Sequence, residues 1–419
     1  MQAYERFGID ESLWPLAAQA EERAQGAFLH IDTVAEHNSL KVLAAFTESG
    51  VGSAHLLGST GYGYDDSGRD TLDRVFAAAV DAPAALVRHT FVSGTHAIAT
   101  ALFGVLRSGD RVVCLTGEPY DTLQPVMGVA GEQSGSLQDL GVTCEVLPLL
   151  PDGAVDMEAI PGAVKGARMA YIQRSRGYSL RPSLCVESIA GICAAVKDAS
   201  PHTVILVDNC YGEFVEDREP TAVGADLIAG SLIKNPGGGI ARTGGYIAGR
   251  EDLVERCADR LTCPGMGREV GCSLDELRNM YLGLFYAPGV VASAVKSAIF
   301  AATLFELLGY ETYPAADTPR TDIIQTLALR NPDKLIAFCR GIQRVSPVDS
   351  LASPEPSYMP GYESDVIMAA GAFTLGASIE LSADGPMREP YAVYMQGALN
   401  YPAGKIGALS AADALLRLP

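Results

Sequence analysis

From residue 84 onward the chain alternates short apolar runs with helical stretches, and that rhythm leaves few folds open. The runs are ALVRHTFV (85–92, led by Ala84), RVVCLTG (111–117), CEVLPLL (144–150), RMAYIQRS (168–175), TVILVDNCY (203–211), DLIAGSLIK (226–234) and TGGYIAGR (243–250). Between most of them lie helical patterns such as THAIATALFGVL and VESIAGICAAVKDA. Strands apolar on both faces and separated by helices predict a mainly parallel sheet covered by helices on both sides, an α/β fold. Residues 1–50 read as a helical arm, followed by a Gly- and Asp-rich loop (58–70) and a helix from about Thr71 to Val80. After residue 290 the pattern changes to a long helix (290–310). Strands follow near 321–327, 366–381 and 391–399, with a last helix near 403–417. The expected division is an N-terminal arm (1–50), a large domain (51–290) and a smaller α+β C-terminal domain (291–419).

Composition excludes several function classes. A formal net charge of −19 repels nucleic acid and anionic membranes, so a small molecule or a protein is the expected partner. The nine cysteines form no CxxC pair and sit mostly in apolar runs, as reduced thiols of a cytoplasmic protein would. The six histidines lie in the first half with no HExxH and no zinc spacing, so no protein-held metal is expected. The N-terminus carries early acids and no apolar core of a signal peptide, and no uninterrupted apolar run has membrane-spanning length.

The chemistry concentrates at three strand ends. Of seven lysines, six lie within or beside helical patterns, where a solvated face is the ordinary reading. Lys234 instead ends DLIAGSLI and precedes NPGGG. Burial there would lower its pKa and favour the neutral amine. Asp208 closes the run VILV, at the sheet edge where ligands of open α/β folds bind. A buried acid there needs a cation. In FVSGTHAIATALFGVL (91–106) a strand ends at Ser93-Gly94-Thr95 and a helix starts, presenting amides suited to an anion. Ser231 could add a hydroxyl, and His96 or Tyr120 (in GEPYDTL) an aromatic face. An amine, an acid, a phosphate cradle and a ring cover are what pyridoxal 5'-phosphate (PLP) requires. Each has a simpler reading: Lys234 as a turn lysine, Asp208 as a helix cap, His96 and Tyr120 as packing.

The order SGT–helix, VDN, then S-x-x-K-NPGGG resembles fold-type I PLP enzymes, the aspartate-aminotransferase superfamily. GYGYDDSGRDTLDRVFA, QRSRGYSLRPSL, VDNCYGEFVE, GSLIKNPGGGIARTGGYIAGR and ASIELSADGPMREPYAVYMQG narrow the likeness. They point to the cystathionine/methionine lyase branch, and within it to the bacterial "aluminium resistance" or methionine gamma-lyase-like proteins. The resemblance implies a seven-stranded large domain and a PLP-dependent carbon–sulfur lyase acting on a sulfur amino acid. It gives Lys234 the covalent attachment, Asp208 the pyridine nitrogen, and Ser231, Gly94 and Thr95 the phosphate. Tyr120 would stack on the ring. Tyr64 and Arg69 would reach the phosphate of a neighbouring subunit, which requires a homodimer or homotetramer with shared sites. The loop SGTH departs from the SGM-type loop of the branch, and the substrate-carboxylate arginine has two candidates, Arg388 (GPMREPY) and Arg176 (QRSRGY). An aminotransferase, aldolase or decarboxylase would use the same scaffold. A rival of another class is a non-catalytic acidic protein sequestering a hard cation on Asp65, Asp66 and the acids of EFVED (213–217). Those acids read more simply as a solvated loop and a helix face.

Overall fold

The computed structural model describes residues 2–130 and 134–419. Backbone contacts group the chain into two units, His37–Tyr286 and Met1–Glu36 with Ala287–Pro419.

The unit His37–Tyr286 is built on a seven-stranded sheet. Its strands are β1 (Ala84–Arg88), β2 (Arg111–Cys114), β3 (Thr143–Val146), β4 (Met169–Gln173), β5 (Val204–Asp208), β6 (Leu227–Ser231) and β7 (Gly245–Gly249). They lie in the order β1-β7-β6-β5-β4-β2-β3. Neighbours from β3 to β6 pair in parallel, whereas β7 runs antiparallel to both β6 and β1. Two reversals bring β1 back to the direction of β5 and β6, so β1, β4, β5 and β6 all end at one edge of the sheet. β4, β5 and β6 are buried at every position, which is why their sequences are apolar runs and not alternating patterns. The edge strand β3 alternates exposed and half-buried positions.

Helices of this unit include α1 (Leu13–Glu48, from its residue 37), α2 (Ser67–Ala79), α3 (Gly94–Val105), α4 (Val186–Ala199) and α5 (Glu251–Leu261). Ile98, Ala101, Leu102 and Val105 of α3 pack with Leu206 of β5, Ala229 of β6 and Val254 and Cys257 of α5 in one core. Helix α2 begins before the expected Thr71. Asp66 caps it by accepting from the Arg69 backbone N–H at 2.9 Å, and its carboxylate also takes the Ser59 and Ser273 hydroxyls. Arg69 therefore lies in a helix and not in the preceding loop, and Asp66 is a buried cap and not a solvated loop acid. The acids of EFVED also depart from expectation: no helix forms there, and Glu213 is buried.

The unit of Met1–Glu36 and Ala287–Pro419 holds a five-stranded antiparallel sheet ordered β10-β11-β12-β9-β8. Its strands are β8 (Glu311–Tyr313), β9 (Ile324–Ala328), β10 (Val366–Ala369), β11 (Ser382–Pro386) and β12 (Ala392–Gln396). The run 366–381 is thus a strand only over its first four residues. Helix α6 (Leu277–Leu307) starts well before 290 because it continues through Pro288. It is long and apolar enough to cross a membrane, yet most of its apolar window is buried in protein. Helices α7 (Pro332–Arg344) and α8 (Tyr401–Leu416) supply Phe338, Ile342, Leu409 and Ala412 to the core of this unit. Lys405 corrects the reading of a solvated helix lysine. It is buried, ion-paired to Glu21 at 2.7 Å, with its ammonium 5.1 Å from the Tyr4 ring centre.

Candidate active site

The carboxyl ends of β1, β5 and β6 bring the predicted residues together. β5 ends in Asp208, beside Ala229 of β6, and Ser231 closes β6 three residues before Lys234. β5 and β6 run parallel, and β6 continues two residues past the level of Asp208 to Ser231.

Asp208 is buried, and both of its oxygens are engaged. The Tyr171 hydroxyl donates to one at 3.2 Å and the Cys210 N–H to the other at 3.1 Å. Burial pushes its carboxyl up, and the Lys234 charge and these donors offset part of that. Lys234 is half-buried, with its ammonium 4.0 Å from the centre of the Tyr211 ring. The expectation of a lowered lysine pKa does not hold. Burial does push the amine down, but electrostatic interactions with the acidic groups Cys210, Tyr211, Asp208 and Glu213 outweigh it, and the pKa moves up. The sequence argument counted desolvation alone and not the acids that the β5–β6 edge collects around the amine.

The anion cradle forms where β1 gives way to α3. Ser93 caps the helix, its hydroxyl accepting from the His96 N–H at 3.1 Å. Gly94 lies against β6: a Cβ there would sit 3.2 Å from Ser231 Cβ and 3.3 Å from Cys210 Sγ. The glycine thus lets the helix start close on the serine, the arrangement an oxyanion group needs. The Thr95 and Thr122 hydroxyls share a hydrogen bond of 2.7 Å. His96 accepts the Val92 N–H at its Nδ1 (3.2 Å), and burial lowers its pKa. Tyr120 is half-buried, 5.9 Å from the Tyr178 ring, and Gly177 leaves room beside it.

The remaining candidates are placed less uniformly. Arg176 is buried, with its backbone N–H and Nε directed to the Ser183 hydroxyl at 3.1 and 3.4 Å. Arg388 is half-buried and follows β11 in the other unit. Tyr64 is exposed and stacked on Tyr62, while Arg69 is buried, donating to the carbonyls of Gly63 (2.8 Å) and Gly271 (3.0 Å).

Sequence reasoning named Glu213 only among the acids of EFVED, as a cation ligand or a helix-face acid, and not as part of the lysine site. Its carboxyl is fully buried, accepts the Tyr246 hydroxyl at 2.7 Å and lies in the field of Lys234. The available signal was Gly230 inside β6. A Cβ there would meet Glu213 Oε1 at 2.7 Å and the Tyr246 ring at 2.8 Å, so this strand glycine marks a close approach.

These residues fit PLP: the bare Gly94 lets the start of α3 approach Ser231 closely, and an acid with both oxygens held lies in the field of a basic amine. On a mostly parallel seven-stranded sheet, such an edge is that of a fold-type I PLP enzyme. Residues 14–416 match the methionine gamma-lyase family, and the chain belongs to it. It is a PLP-dependent carbon–sulfur lyase. The chain is similar to YnbB of Bacillus subtilis (strain 168), 48% identical over 409 residues that cover 97% of each protein. The crystal structure of a carbon–sulfur lyase involved in aluminum resistance from Clostridium novyi NT superposes with a TM-score of 0.94. It is 46% identical and covers 98% of both chains. The PLP-dependent protein YhfS of Escherichia coli, 18% identical, shares the fold with a TM-score of 0.62 over 92% of this chain and 96% of its own.

Proposed function

We propose that the substrate is a sulfur-containing amino acid of the methionine, cystathionine or cysteine type, and that Lys234 is both the attachment point of PLP and the base that takes the Cα proton. Bound PLP supplies an electron sink for the carbanion left when that proton departs. Asp208 holds a positive charge at the pyridine nitrogen. The Gly94 and Thr95 amides hold the phosphate with the Ser93 and Ser231 hydroxyls. Tyr120 covers the ring face, with His96 beside it. Lys234, once free, removes the proton at hydrogen-bond reach and can return it. Arg388 is our first choice for the substrate carboxylate and Arg176 the second, because the guanidinium fork matches two carboxylate oxygens. Tyr64 and Arg69 serve the site of a second copy in a homodimer or homotetramer. Residues 51–290 act as the cofactor-binding domain, 291–419 as the small domain and 1–50 as an arm. Nine free cysteines suit a reducing compartment such as the cytoplasm.

The observation that carries this reading is the Lys234 ammonium set on the Tyr211 ring, in the field of the buried Asp208. Purified protein supplied with PLP and candidate sulfur amino acids tests it. The expected products are a thiol, ammonia and a keto acid, absent in Lys234→Ala. Release of CO₂ or an aldehyde would contradict the lyase assignment. A KM raised by Arg388→Met and not by Arg176→Met would select the first arginine.

A further inference from the structure

We infer that Glu213 is a positioning residue for Lys234: its buried carboxyl, held by Tyr246, sets whether the lysine nitrogen carries a proton. The inference rests on Lys234 being the residue that carries PLP.

Glu213 sits on the loop after β5, three residues past Cys210 and two past Tyr211, whose ring lies under the Lys234 ammonium. One oxygen accepts the Tyr246 hydroxyl from β7 at 2.7 Å. The other, Oε2, is buried and has no hydrogen-bond partner among the described residues. Leaving a buried carboxyl oxygen unmatched is costly unless something nearby compensates. Gly230 is bare where a side chain would collide with the Glu213–Tyr246 pair, so β6 is shaped around it. Asn235, the residue after Lys234, donates its side-chain N–H to the Glu213 carbonyl at 2.9 Å. The turn that carries the lysine is thereby tied to the backbone of Glu213.

The other acids nearby are committed elsewhere. Asp208 has both oxygens bonded. Glu219 accepts the Phe214 N–H and the Asn209 amide, and pairs with Arg174. Groups facing Lys234 are Cys210, Tyr211, Asp208 and Glu213; those facing Glu213 are Tyr246, Glu219 and Lys234. Burial raises the Glu213 carboxyl to about 8, so it changes charge near neutrality. Ionised, it favours the ammonium. Protonated, it releases that hold. Because the groups are coupled, their titration belongs to the set and not to one residue.

The test is a pH titration of the visible absorbance band of PLP bound to the enzyme, which reads the protonation of the nitrogen contributed by Lys234. Glu213→Gln keeps an acceptor for Tyr246 and removes the charge. It should lower the midpoint by about one pH unit or more, a tenfold change in proton affinity, with thermal stability near that of the parent protein. Tyr246→Phe removes a donor that favours ionised Glu213, so it should shift the midpoint in the same direction by less. A midpoint unmoved in both folded variants would overturn the inference while leaving the PLP assignment standing. A parent protein with no cofactor band would overturn the assignment itself.

Discussion

Replacing Arg174 with Met should unfasten the loop that shapes the lysine site. Arg174 has no exposed side-chain surface. Its guanidinium donates to Glu216 at 2.7 Å and Asn209 at 2.8 Å, and lies 3.4 Å from Glu219, which is itself buried. Gly212 packs directly on its side chain, where a Cβ would collide with the guanidinium. The segment it grips is strained: Tyr211 (φ 71°) and Phe214 (φ 60°) both adopt the left-handed region without being glycine, at about 1–3 kcal/mol each. Removing one partner of a buried charge network costs about 3–5 kcal/mol, since the buried Glu219 and half-buried Glu216 lose their countercharge. That is a large share of the roughly 5–15 kcal/mol that holds a domain together. At about 2–4 °C per kcal/mol for a domain of this size, calorimetry should show a fall of roughly 6–20 °C in the Tm. Adding Glu216→Gln and Glu219→Gln should recover part of the loss, because the stranded charges go with it. A loss below about 1 kcal/mol in Arg174→Met would refute the claim that this buried network holds the loop.

Two further outcomes follow from the site. Gly94→Ala places a methyl group 3.2 Å from Ser231 Cβ, so the helix start must shift away from β6. PLP should be retained several-fold more weakly in equilibrium dialysis, with the fold unchanged by circular dichroism. The second concerns pH. Burial holds the Glu213 carboxyl at about 8 in the folded chain against an ordinary 4.5, so between these values the folded state binds a proton that the unfolded state releases. Its stabilising contribution is complete below about pH 4.5 and is lost as the pH rises through about 8. Urea titrations at several pH values should show the stability of the parent protein falling relative to Glu213→Gln over that window. A constant difference would show that Glu213 does not change its charge there.

Much of this was legible in the sequence, for a physical reason. Buried parallel strands must be apolar on both faces, so VILVD and DLIAGS announce themselves as central strands and place Asp208 and Lys234 at one edge. The start of α3 was equally plain, because Ser-Gly-Thr after an apolar run is a helix cap. The misses share a cause in long-range context. The long helix read from residue 290 begins at Leu277 and runs through Pro288. Lys405 looked like a surface lysine, but Glu21, almost four hundred residues away in sequence, takes its charge into the interior. The Lys234 pKa depends on four groups gathered from beyond its own strand. Glu213 lay in an acidic stretch that reads as solvated, and only the glycine opposite it hinted otherwise.

The account stands on Lys234 carrying the cofactor. Reducing the PLP-loaded enzyme with borohydride and mapping its peptides by mass spectrometry tests this most directly. The expected result is a single pyridoxyl adduct on the peptide containing LIKNPGGG, at Lys234. An adduct on any of the other six lysines, or none, would contradict it.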